Sequence, residues 1–536
     1  MTGPAPRSRP EWIAVPGGAI GSEWLGPEGG AASGCIIVPS VGHEELSMYR
    51  GLVRLARQLG DRHIVVMMQH WGTDQSDGSV NDDLLMLRWR TGVEAAIATM
   101  QARGVEHLTV VAARLGALIA TSALPLAGVD RLVLWAPTSS GRRFVRELRI
   151  MQAARGAGAG DSAGLNVGGY QYPNAMLEEL SASGLAGRPL PAQELLVLDH
   201  DERPTDPAYI TELRSLGAVV TEQRCNDIGP WADRSIDDTK VPHGSIDLID
   251  AWLSRPPSAD GPSSAPRAQL HAPAPDLNAH HEQLGIVAKR QLRAVRSLPP
   301  GSHRPLGLLL YSTMGPGRSF VELARHETRR NRMSIRFDDA SSRWSPTRPF
   351  PRPTYQSDRL DIDDLEQAID ELVDRCAAGV VLVGFCGGAM ALLRNETATK
   401  ARAVVAINPP LFDLAMNPDK PMRDRTRSSS RIVRRLSYAY RFVVWRLAAV
   451  RQLRSLTSSG TRVLFLFDEN DVGYLFWRNS LARSLRDQTT RREIVMICHP
   501  GLGHNLEGAD TDDVLGIISS FISEVEGVEG QTTSAG

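Results

Sequence analysis

The stretch Val380 to Met390, VVLVGFCGGAM, sets a cysteine between an apolar run and paired glycines. A thiol in that setting is a competent nucleophile once a histidine takes its proton or a helix N-terminus lowers its pKa. Gly384 and Gly388, two residues either side of Cys386, allow the tight path of a buried strand that turns directly into a helix. Such a turn lifts the sulfur to the C-terminal edge of a sheet and aims the N–H of Gly387 at an oxyanion. The other reading is structural, because cysteine is among the most buried residue types.

The partners of such a nucleophile follow it in the order acid, then histidine. RVLFLFDEND reads as a strand ending in acidic residues, with Asp471 where the acid belongs and Asp468 and Glu469 as alternatives. EIVMICHPGLGHNLEG brings two histidines, of which His504, in a glycine-flanked loop, fits the proton shuttle better than His499, which abuts Pro500. A second oxyanion N–H is expected in the loop after GLLLYST, at Thr313 or Met314. This set would attack an ester or thioester carbonyl and transfer or hydrolyse the acyl group, with no cofactor and no metal. GPGRSF lacks the Gly-Lys-Ser/Thr ending of a phosphate loop, so nucleotide binding is not expected there.

LTVVAARLGALIA occupies the same place in the first half and offers Arg114 instead. A guanidinium has no lone pair to give, so this elbow cannot run acyl transfer. Asp201 in LLVLDHDERP and His243 in KVPHGSID stand in register as its acid and its histidine. Either they are relics that hold structure, or Arg114 and Asp201 form a buried pair that binds an anionic group.

The elements that must position these residues repeat. Each half alternates short β-branched runs with longer helical segments, the pattern of a mostly parallel sheet with crossover helices. Each also carries an insert after its fourth such run, at about 137–190 and 410–460. That order predicts an α/β fold of two tandem α/β-hydrolase-like domains, each with a cap insert. The chain of 536 residues is long enough for two cores. Six prolines in PPSADGPSSAPRAQLHAPAP mark a solvated linker. The expected boundaries are a first domain at 1–255, the linker at 256–277, a second domain at 278–525 and a frayed tail at 526–536.

A formal net charge of -1 gives no global pull toward nucleic acid or membrane. The five cysteines lie far apart, without metal-ligand spacing, which fits a reducing compartment. No run of 18 apolar residues exists and the N-terminus lacks a signal-type apolar stretch, so a cytoplasmic location is expected.

The first half resembles the exosortase A system-associated hydrolase 2 family of bacterial exopolysaccharide and protein-sorting loci. The similar segments are RLGALIA, LWAPTSSGRRFVRELR and, more loosely, VPSVGHEE. The second half resembles the companion type 1 family at GPGRSFVELAR, GFCGGAMALL, INPPLFD, RRLSYAYRFVVWRL and ENDVGYLFW. It departs from that family in MSIRFDDASSRWSP, which lacks the usual glycine-containing turn, and in the glycine-rich elbow. The elbow is also similar to the Gly-x-Cys-x-Gly-Gly box of dienelactone hydrolase and polyhydroxyalkanoate synthase. The resemblance implies α/β-hydrolase folds and a link to surface-glycan metabolism.

Between Lys420 and Arg454 there are eleven basic residues and one acidic residue, interleaved with aromatics. This basic cap would hold a small-molecule or carrier-bound acyl substrate, a polyanion or acidic lipids, or it is a solvated helix whose long side chains cover apolar surface. No recognition module for nucleic acid accompanies it. The rival to an enzyme is a non-catalytic scaffold whose two clefts capture an acyl or glycan ligand or a partner protein.

Overall fold

The computed structural model describes residues 8–123, 129–154, 164–167, 170–185, 194–233, 239–255, 282–288, 292–300, 305–312, 318–338, 359–411, 431–502 and 511–532. The linker at 256–277 and three predicted site residues, Thr313, Met314 and His504, lie outside the described residues. The chain divides into two compact units, Met1–Asn278 and Ala279–Gly536.

The first unit contains β1 (Ser8–Val15), β2 (Gly18–Leu25), β3 (Ser33–Val38), β4 (Ile64–Met68), β5 (His107–Ala113), β6 (Arg131–Trp135), β7 (Gly164–Val167), β8 (Tyr170–Pro173), β9 (Glu194–His200) and β10 (Val219–Cys225). Its eight-stranded sheet runs β1-β2-β4-β3-β5-β6-β9-β10. Pairing is antiparallel for β1 with β2 and β2 with β4, and parallel from there on. The insert after β6 holds helix Gly141–Ala154, the β7–β8 hairpin and helix Asn174–Ser181.

The second unit contains β11 (Glu282–Val287), β12 (Leu292–Ser297), β13 (Gly307–Ser312), β14 (Met333–Asp338), β15 (Val380–Phe385), β16 (Ala403–Ile407), β17 (Arg462–Asp468) and β18 (Ile494–His499). The order β11-β12-β14-β13-β15-β16-β17-β18 is the same permutation, again with two antiparallel pairings at the β11 edge. Its insert after β16 includes helix Arg431–Ser458.

The central strands are mostly apolar because both faces are covered. Along β15, Val380 and Leu382 enter one core cluster and Val381 and Val383 the other. In β5, Leu108, Val110 and Ala112 face one side, and Val111 and Ala113 the other.

The tail expected to fray from 526 instead continues the last helix, Thr511–Thr532. Ile518, Phe521, Ile522 and Val525 form its buried stripe. The next residue, Glu526, accepts hydrogen bonds from Nε and Nη2 of Arg332 at 3.1 and 2.7 Å. A charged partner therefore anchors the helix beyond the last buried apolar residue.

Candidate active site

Cys386 has φ 46° and ψ -116° and caps helix Gly387–Arg394, directly after β15. Non-glycine residues reach this region only at a cost on the order of 1–3 kcal/mol, so the surrounding structure must impose it. The Cys386 N–H donates to the carbonyl of Ile407 at the end of β16, at 2.9 Å. Gly384 is required because a Cβ there would lie 2.5 Å from Cα of Ala389. The side chain is half-buried, whereas Cys35 and Cys376 are fully buried. Burial pushes the Cys376 thiol up to about 11, which marks it as inert at neutral pH. Gly387 opens the helix, and its first-turn N–H has no acceptor within the helix.

Candidate acids lie at the C-terminal end of β17. Asp468 and Asp471 are buried, and Glu469 is exposed. Oδ1 of Asp471 accepts from the N–H of Gly473 at 2.7 Å, capping helix Val472–Phe476. The Asp468 N–H donates to Oδ1 of Asn408 at 2.9 Å, and Oδ1 of Asp468 accepts from the Asn470 N–H at 2.8 Å. The register of β17 and β18 sets Asp468 beside His499. Nδ1 of His499 turns to the carbonyl of its own neighbour Pro500, at 3.1 Å.

The first unit builds the same elbow around Arg114, with φ 50° and ψ -119°. Its N–H donates to the carbonyl of Trp135 at the end of β6, at 3.0 Å, the counterpart of the Cys386 bond. Gly116 is fixed because a Cβ there would approach the carbonyl oxygens of Pro39 and Val38 at 2.4 and 2.5 Å. That contact holds the loop after β3 against the elbow.

The helix that follows this loop, His43–Leu59, supplies the partner of Arg114, and it is not Asp201. Nε and Nη2 of Arg114 donate to Oε1 of Glu44 at 3.0 and 2.8 Å, with both side chains buried. Oε2 of Glu44 accepts from Oγ of Ser40 at 2.6 Å, and that same Oγ accepts from the N–H of Leu115 at 3.3 Å. Burial acts to raise the Glu44 carboxyl, yet the Arg114 guanidinium, with His43 and Ser40, holds it below the usual range. Burial likewise opposes the charge on Arg114, and Glu44 outweighs it.

Leu115 follows the elbow residue as Gly387 does in the second unit. The ladders pair Val38 with Ala112 in the first unit and Ser312 with Phe385 in the second, and Ser40 lies two residues past the end of β3. The first unit thus sets the Ser40 hydroxyl on the N–H that follows its elbow residue, and an ion pair at the elbow itself.

Asp201 and His243 do not complete a site. Register places His200 opposite the position of Asp468, so Asp201 corresponds to the exposed Glu469. Asp201 is half-exposed and lies 3.2 Å from Nδ1 of the buried His200. Nε2 of His200 donates to Asp233 at 2.9 Å, and Arg203 also pairs with Asp233. His243 opens helix His243–Leu253 with an exposed side chain, and among the described residues no hydrogen bond or ion pair joins it to Arg114. Glu44 and Ser40 were not among the expected site residues; the local signal was PSVGHEE, where a polar and acidic run leaves β3 and opens the next helix. The cap seals this side as well: the buried Tyr172 hydroxyl of β8 accepts from the His43 N–H at 3.0 Å and lies 2.8 Å from its Nδ1.

The repeated strand order, with an elbow after the fifth sheet strand and an insert after the sixth, defines both units as α/β-hydrolase folds. No family model and no curated protein matches the chain. Solved structures similar to it include Est1E from Butyrivibrio proteoclasticus, at 11% identity over 46% of this chain and 98% of that one, TM-score 0.31. XC6422 from Xanthomonas campestris, described as an a/b serine hydrolase without lid, is 13% identical over 45% of this chain and 94% of its own, TM-score 0.29. An esterase of Pyrobaculum calidifontis is 12% identical over 47% of this chain and 85% of its own, TM-score 0.33.

Proposed function

We propose that the second unit is an acyl hydrolase or acyltransferase acting on an ester or thioester, and that the first unit is its non-catalytic companion. The observation that carries this reading is the half-buried Cys386 thiol mounted on a turn with φ 46°, between a buried strand and a helix N-terminus. In the proposed mechanism the sulfur attacks the carbonyl carbon. His504 takes the thiol proton and returns it to the leaving group, and Asp471 orients the imidazole. The N–H groups of Gly387 and of Thr313 or Met314 hold the oxyanion. Water or another acceptor then releases the acyl group from the sulfur. The substrate is a small or carrier-bound acyl compound in the cytoplasm, and the resemblance of both halves to exosortase-associated hydrolases supports a place in surface-glycan metabolism.

The ion pair of Arg114 with Glu44, at 2.8 Å, and the Ser40 hydroxyl on the Leu115 N–H support the companion role of the first unit. Turnover of a panel of activated esters and thioesters by the full chain tests the reading. Cys386→Ala abolishes turnover if it holds; unchanged turnover assigns another nucleophile, and silence across the panel leaves a ligand-capturing scaffold.

A further inference from the structure

Helix Arg431–Ser458 packs Ala449, Leu453 and Leu456 into the core of the second unit. On another face Val443 and Leu447, four residues apart, stand 53% and 64% exposed. With Arg446, Val450 and Arg454 they form one helical stripe, and that stripe is one wall of an open cleft of about 400 Å³. Arg483, Ser484, Arg486 and Asp487 form the other wall. Nη2 of Arg446 donates to Oγ of Ser484 at 2.9 Å, and Nη2 of Arg454 donates to the Ser484 carbonyl at 2.8 Å. Two guanidiniums are thereby braced across the cleft, while Arg483 and Arg486 are exposed at its rim.

Four guanidiniums against one carboxylate repel one another, and two large apolar side chains are left more than half exposed to water. Both features suit one partner. We propose that this face docks on an anionic lipid bilayer: the arginines take phosphate-bearing headgroups, and Val443 and Leu447 enter the headgroup and acyl boundary. A soluble phosphate would use the guanidiniums alone and leave the apolar pair in water. Two apolar side chains are also too small an apolar centre for a stable protein interface. No helix among the described residues is long and apolar enough to cross a membrane, and the proposed contact lies in the interface plane. This inference is independent of the chemistry proposed for Cys386.

Sedimentation of the full chain with vesicles tests it, using phosphatidylcholine alone and phosphatidylcholine with about one third phosphatidylglycerol. Binding to the anionic vesicles only, released by high salt, is expected. The double variant Arg483→Glu, Arg486→Glu, at exposed positions, lowers partitioning on the order of tenfold or more. Leu447→Gln, which keeps every charge, lowers it as well, and circular dichroism confirms that both variants are folded. Equal binding to both vesicle types, no binding to anionic vesicles, or undiminished binding by the variants overturns the proposal. So does release from vesicles by dilute inorganic phosphate at constant ionic strength, which would make the cleft a site for a soluble anion.

Discussion

Arg114 and Cys386 adopt the same left-handed backbone conformation, with φ 50° and 46° and ψ -119° and -116°, at the same turn of two sheets with one strand order. The next strand fixes each through its N–H, by way of Trp135 and Ile407. The conformation therefore belongs to the fold, and the side chain mounted on it decides what each unit can do. On Cys386 it raises a half-buried thiol at a helix N-terminus. On Arg114 it feeds a buried pair with Glu44.

Breaking that pair from one side strands a buried charge. Arg114→Met leaves Glu44 buried without its guanidinium and should destabilise the first unit by about 3–5 kcal/mol. The double variant Arg114→Met, Glu44→Gln should recover most of the loss. Denaturant unfolding of the three proteins checks this, and ester turnover per folded molecule should be the same in all of them.

The elbow of the second unit tolerates no side chain at Gly384, where a Cβ would lie 2.7 Å from the Ala389 nitrogen. Gly384→Ala should cost about 1–3 kcal/mol of stability through overpacking and remove esterase turnover by tilting the helix that carries Gly387. Measured melting temperature and turnover should fall together.

The two units should fail in different acid windows. His70 is buried in the first unit, where Nε2 donates to the Pro39 carbonyl at 2.9 Å and Nδ1 has no hydrogen-bond partner among the described residues. Burial lowers its pKa from 6.5 to about 4. Because the folded state resists protonation, stability is complete above pH 6.5 and about 3 kcal/mol is lost as pH falls toward 4.

In the second unit Glu282 is buried between Arg325 and Arg336, at 2.9 and 2.8 Å. Burial acts to raise its pKa, but Arg336 and Arg325 prevail and lower it from 4.5 to about 2. Its contribution, also about 3 kcal/mol, is complete above pH 4.5 and is lost between there and pH 2. Calorimetry across this range should show the first transition weakening before the second. His70→Gln should flatten the first slope and Glu282→Gln the second.

The elbows, the central strands and both cap positions were legible in the sequence because each leaves a local mark: uninterrupted β-branched runs, small residues beside the turn, an insert in a fixed place. The edge hairpins β1–β2 and β11–β12 were not. SRPEWIAV and EQLGIV mix charged and apolar residues, as edge strands do, and carry no buried run. The pairing of Arg114 with Glu44 was equally hidden, since its partners are 70 residues apart and meet only when the sheet folds. Asp201 looked like the partner because it follows a strand, but register sets it at an exposed turn beside His200.

Rapid quenching with an activated ester, followed by intact-mass spectrometry, reports whether the Cys386 sulfur takes up the acyl group. One acyl adduct per chain is expected, mapped to Cys386 by peptide analysis, formed in a burst and absent from Cys386→Ala. An adduct that persists in Cys386→Ala, or turnover with no label on Cys386 at any quench time, would rule out Cys386 as the nucleophile.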